Sequence, residues 1–424
     1  MNLSRSFAPL RHRQFALLWA GAFTSNIGTW METVGVGVLV TTETGQAGWA
    51  GLVAAAGFVP TAVLAPLGGA LADRIPRRRL LLTTTAVQTA LAGLLTFLTA
   101  TGTPGPGIVT LIVLGAGCSL ALGFPAYQAL LPDLVPREDL PGAIALSSAQ
   151  WNLGRVIGPA LAGVVIRVGG YAWAFGFNTI SFAAVIAVLL VLRLPRPAEA
   201  KEASIIEAIR AGARFVRADP GLRVVVGYMA LNSLLAAPFI ALVPAFALKV
   251  FHNEQAGTAA LVTAQGVGAV LMGLSLGALH AHYGGRRVLL GVLWGLPVAL
   301  CLYAFAPNLV VGVVAIFVVG FLYLGALSSF TTIAQLRSPA HLRGRVLSFL
   351  MVLLGTLYPL GSVLQGAIAD RVGLRATTAG AGVLMAGALL VVRLARPSVA
   401  TALDSDATDA PPTVVEPVAV APER

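Results

Sequence analysis

The sequence predicts an all-α membrane protein of twelve transmembrane helices in two six-helix halves, and three observations predict it. Of 424 residues, 57% are hydrophobic and 11% charged, against about 25% charged in soluble domains. Apolar runs of about twenty residues, enough to cross roughly 30 Å of hydrocarbon, recur between clusters of Gly, Pro and charge. Of the 28 Lys and Arg, 23 fall in alternate connecting segments, the asymmetry expected of cytoplasmic loops.

Taken in order, the runs place helices near 15–41, 47–72, 80–101, 107–131, 143–168, 172–192, 223–249, 258–281, 288–306, 309–335, 346–370 and 374–394. The first follows Arg11 and Arg13, exceeds a signal-peptide core in length and lacks a small-residue cleavage site, so it is expected to remain as a span. Basic clusters such as "DRIPRRR" and "GGRR" lie on one side, which puts both termini in the cytoplasm of a bacterial inner-membrane protein. That sorting accounts for the net charge of +11 without a nucleic-acid partner. Cys118 and Cys301 both sit in apolar runs, and neither a disulfide framework nor a metal motif is predicted.

Four regions follow: residues 1–192 as the N-terminal half, 193–222 as a cytoplasmic linker, 223–396 as the C-terminal half and 397–424 as a disordered tail. The linker carries a Ser204/Glu207 capping box. Behind it Ile205, Ile209, Ala213 and Val216 share one helical face, and Glu207, Arg210, Arg214 and Arg217 another, the pattern of a helix lying on the membrane surface. The tail, rich in Pro, Ala and acid, lacks the apolar content to fold.

A short phrase recurs on every third helix: "PLGGALADR" at 66–74, "GPALAG" at 158–163, "LSLGALHAH" at 274–282 and "PLGSVLQGAIADR" at 359–371. Gly and Ala phrases pack any helical bundle, but the regular spacing points to a three-helix unit used four times, as in secondary transporters whose halves rock about a central site.

With these motifs the chain resembles the major facilitator superfamily over all twelve helices. "GGALADRIPRRR" (68–79) looks like the motif that follows helix 2 in that superfamily. The resemblance implies that Gly69, Asp73, Arg74, Arg77 and Arg78 latch the halves in the outward-facing state. "NLGRVIGPALAG" (152–163) is similar to the antiporter signature of helix 5, with Gly154, Gly158 and Gly163 as a small-residue seam and Pro159 bending the helix. "SNIGTWMETVGVGVLV", "LVPREDLPGAIAL" and "LRGRVLSFL" resemble the branch holding the enterobactin exporter and antibiotic efflux proteins. The helix 4 arginine of many drug/proton antiporters is absent.

Two charges stand inside predicted spans, Glu32 in helix 1 and Arg155 in helix 5. On a helical repeat Glu32 shares a face with Ser25, Gly28, Thr29 and Gly35, away from lipid. The two form a static ion pair, or Glu32 is held neutral by Asn or Gln, or Glu32 binds a proton in one access state and releases it in the other. Intramembrane carboxylates commonly mark proton paths, which favours the last. Asn26, Trp30, Asn152, Tyr228, Asn232 and Gln265 are cavity candidates. No P-loop, zinc pattern or nucleophile constellation is found, so the reading is not an enzyme but a monomeric secondary transporter. It needs no cofactor or metal beyond a proton gradient and exports a lipophilic drug or natural product by alternating access. Siderophore export, import or facilitation, and a non-transporting scaffold or sensor are the alternatives.

Overall fold

The computed structural model describes residues 7–192, 205–339, 342–395 and 403, and every regular element among them is helical. The spans of the N-terminal half are α1 (Arg13–Thr44), α2 (Ala47–Arg74), α3 (Arg77–Thr101), α4 (Pro106–Leu134), and α5 with α6 inside Leu140–Val191. As a straight rod those 52 residues would measure about 78 Å, far beyond a bilayer. Gly170, at φ 74° and ψ −177°, breaks the helix into α5 (140–169) and α6 (171–191). That backbone region is reserved for glycine.

The linker helix α7 (Ile205–Ala218) leads to a seventh span made of α8 (Pro220–Leu231), one wide turn at Asn232–Ala236 and α9 (Phe239–Lys249). Pro238 has no N–H to give the Leu234 carbonyl. Gln365 of the eleventh span supplies donors instead, its Nε2 lying 3.0 Å from Leu234 O and 2.9 Å from Leu235 O. Then follow α10 (Gln255–Tyr283), α11 (Gly285–Ala304), α12 (Leu309–Arg337), α13 (Arg343–Val372) and α14 (Leu374–Ala395). Twelve spans result, each within a few residues of the sequence expectation. Ser204 and the side chains of Glu207 and its neighbours to 209 lie outside the described residues, as does the predicted tail, residue 403 aside.

The halves meet along α2 with α13 and α5 with α10. Backbone nearly touches backbone there: a Cβ at Gly51 would lie 2.2 Å from Ser362 O, and one at Gly163 2.6 Å from Ala259 Cβ. The four copies of the repeated phrase divide by end. Gly163 in the second copy and Gly366 in the fourth abut the opposite half, Gly366 against Ala47 and Gly48. Gly69 in the first and Gly277 in the third have no such neighbour. The halves therefore touch at the Asp370 end, while Gly69 and Gly277 toward the Asp73 end make no contact across.

Asp370 secures the closed end. Its carboxylate accepts from the first two backbone N–H groups of α2, Ala47 at 2.7 Å and Gly48 at 2.8 Å, and lies 3.5 Å from Lys249 Nζ. An acid at a helix N-terminus satisfies orphan donors and complements the helix dipole. At the other end Asp219 caps α8 through Leu222 N (2.7 Å) and forms a buried two-point pair with Arg337 of α12, at 3.0 and 3.1 Å. α7 lies against the start of α13, where Gly212 approaches the Arg345 carbonyl.

Candidate coupling and substrate site

Glu32 lies half-buried on α1, on the face turned to α6. Asn178 Nδ2 of α6 donates to its Oε2 at 2.7 Å. Ser181 Oγ donates to the Asn178 carbonyl at 2.7 Å and to its Oδ1 at 3.1 Å, which fixes the amide with its N–H side toward the carboxylate. Gly28 makes the approach possible, since a Cβ there would meet Asn178 Oδ1 at 2.5 Å and Ser181 Oγ at 2.7 Å. Among the described residues Glu32 pairs with no cation, so the static pair with Arg155 is not the arrangement seen, and Asn178 is the carboxyl's partner.

Arg155 is elsewhere. Gly158, one turn along α5, packs against Trp30, Ile27 and Met31, so α5 sees a different face of α1 from α6. The Arg155 guanidinium sits 5.5 Å from the centre of the Trp30 ring, a cation–π contact worth about 0.5–2 kcal/mol. Among the described residues no carboxylate pairs with it, and its Nε is buried without an acceptor. Removing one charge from water without a partner costs several kcal/mol, more than one indole face returns.

Three separate aromatic pairs occur in the bundle, the first of which includes the Trp30 ring under Arg155. Trp30 meets Trp151 edge-on at 5.9 Å, Tyr358 meets Phe58 at 5.2 Å, and Tyr323 meets Phe239 at 5.6 Å. Trp30 Nε1, Gln265 Nε2, the Asn232 amide and Ser233 Oγ are buried without hydrogen-bond partners. Gln265 precedes Gly266, which abuts the Arg155 carbonyl. A groove of about 610 Å3 between α5 and α10 lies toward the closed end, and its lining is small and apolar with Arg167 and Thr263. It lacks the convergent polar groups of the Arg155 centre.

The other candidates fall as follows. Trp30, Asn232 and Gln265 are among the buried groups without partners. Asn26 packs against Gly154, Asn152 bonds back to Ser148 O at 2.8 Å, and Tyr228 is buried in the C-terminal core. Gly154 and Gly158 form a seam with α1, Gly163 one with α10, and α5 passes through Pro159 unbroken. Asp73 and Arg74 are exposed, Arg77 binds Ala129 O and Asp133 of α4, and Arg78 reaches Leu190 O of α6. In this conformation Gly68, not Gly69, makes the close helix contact, against α4. Asn178, Ser181, Trp151, Tyr358, Gln365 and Asp370 are functional candidates that only the structure supplies. A polar pair in "FGFNTISF" is the signal that points to the first two.

The family model described as "Transmembrane secretion effector" matches residues 4–424. The multidrug efflux pump Tap of Mycolicibacterium fortuitum is 29% identical over 385 residues, 85% of this chain and 90% of that one. The enterobactin exporter EntS of Shigella boydii serotype 18 is 31% identical over 338 residues, 77% of this chain and 79% of that one. A POT peptide transporter structure matches with TM-score 0.75 at 11% identity, covering 92% of this chain and 95% of that one. A bacterial homolog of the human lysosomal transporter Spinster, inward-facing and unoccupied, matches at 0.67 and 15%, covering 94% and 98%. At these identities the structures share the fold alone. The chain is a multi-pass membrane protein that belongs to the transmembrane secretion effector family of the major facilitator superfamily.

Proposed function

We propose that the protein is a proton-coupled exporter of lipophilic small molecules that works by alternating access. The observation that carries this reading is Glu32: a carboxylate inside a span, held by the neutral donor Asn178 and, among the described residues, by no cation. An amide fixes its position without neutralising it, so its charge changes with the water that reaches it. Export of drugs and of enterobactin by relatives named as exporters supports the direction. The Lys and Arg asymmetry supports a cytoplasmic Asp73 end and cytoplasmic termini, which makes the described conformation inward-open and an inner membrane the setting. In the opposite conformation Asp73 and Arg74 would join the halves at the parted end, while Arg77 and Arg78 hold α3 to α4 and α6. The gradient supplies the energy, the chain acts as a monomer without cofactor, and we assign it no catalytic step.

Everted membrane vesicles test this. With lipophilic fluorescent probes of both charges, wild type is expected to release vesicle protons when a transported probe is added. Glu32→Gln should abolish that exchange while leaving membrane yield and unfolding temperature unchanged. Undiminished exchange in Glu32→Gln would remove the assigned role.

A further inference from the structure

We propose that the Arg155 centre is an anion subsite, and that the exported molecule is an aromatic organic anion whose carboxylate, sulfonate or ionised phenol seats on the guanidinium. This rests on the export reading and narrows it to a substrate class. Four observations converge. Arg155 lies on α5 against Trp30 of α1, with its backbone against Gly266 of α10, yet no carboxylate pairs with it among the described residues. The acid that would be its nearest equivalent in the sequence, Glu32, is committed to Asn178 on the other face of α1.

The unsatisfied groups in contact here are donors, Arg155 Nε and Trp30 Nε1. Donors without acceptors are complemented by an acceptor-rich ligand, and a planar guanidinium suits a two-oxygen anion. The rings of Trp30 and the exposed Trp151 offer faces and edges to a flat apolar body. A cationic drug would meet Arg155 as a like charge and leave every one of these donors unmet. Export of an anion also runs with an inside-negative membrane potential, so proton entry and anion exit are driven in the same sense.

The test uses the full chain in lipid nanodiscs and three matched probes: 2-naphthalenesulfonate, 2-naphthalenemethanol and 2-naphthylmethylammonium. Binding is read as saturable quenching of tryptophan fluorescence, with no gradient imposed. Wild type is expected to bind the sulfonate at least about tenfold more tightly than the ammonium, since a hydrogen-bonded charge is lost in one case only. Arg155→Gln should lose at least that factor for the sulfonate, and Arg155→Lys, which keeps the charge but not the planar fork, should recover only part of it. Equal affinity for the two charged probes in wild type, or an unchanged sulfonate affinity in Arg155→Gln, overturns the proposal. The wild-type comparison decides even where Arg155→Gln does not fold. Loss of anion preference with proton exchange intact sinks this subsite and leaves export standing. Anion binding with no proton exchange does the reverse.

Discussion

Glu32 depends on a single amide, and that dependence sets the most local expectations. Replacing Asn178 with Leu removes the donor 2.7 Å from the carboxylate, a contact of the class worth about 1.5–3 kcal/mol, and should abolish proton exchange in everted vesicles. Gly28→Ala should do the same without touching either polar group, because its Cβ would lie 2.5 Å from Asn178 Oδ1 and push the amide away. Gly21→Ala on the same face meets Val188 at an ordinary 3.4 Å and should be silent. Full coupling in Gly28→Ala would show that Asn178 does not position Glu32. At this scale the sequence exposes the charges but not their partners. A carboxylate in an apolar run announces itself, whereas its bond to Asn178 depends on which face of α1 meets α6, and that is decided by tertiary packing. The same packing keeps Arg155 beside Trp30 and apart from Glu32.

Helices are legible in the sequence to within a few residues, because bilayer thickness fixes their length and Gly, Pro and charge mark their ends. Interruptions are less so. Gly170 was bracketed correctly as the junction between the fifth and sixth spans, and its left-handed backbone explains why a glycine stands there. Gly170→Val is expected to cost roughly 1–3 kcal/mol and to lower the unfolding temperature. An unshifted transition would mean the bend is not strained. The wide turn at Asn232–Ala236 left no clear periodicity signal, since one extra residue in a uniformly apolar span alters no pattern. Its support by Gln365 is a contact across 130 residues, invisible without the fold. Gln365→Leu leaves the Leu234 and Leu235 carbonyls without that donor and should destabilise by roughly 1–3 kcal/mol, read from thermal unfolding in detergent.

Across the whole molecule, the four repeated phrases divide: glycines of two abut the opposite half at one end while those of the other two touch nothing. The repeat itself was readable as text, but which copies touch in a given state is a property of the conformation. Asp370 and Asp73 occupy equivalent places in "GAIADR" and "GALADR", and Asp370 now caps α2. Asp370→Asn should weaken a cap worth about 0.5–2 kcal/mol and shift the closed-end population roughly 2- to 30-fold. Spin labels at Glu43 and Val372 in a cysteine-free background would report longer distances, and an unchanged distribution would deny the cap that role. Coupling through Glu32 is tested most directly in proteoliposomes of purified protein, with a probe that the vesicle experiment shows to be moved. Glu32→Gln is expected to retain probe-for-probe exchange, which needs only the rocking of the halves, and to lose accumulation driven by an imposed pH gradient. Accumulation at the wild-type level in that variant would contradict a proton path through Glu32.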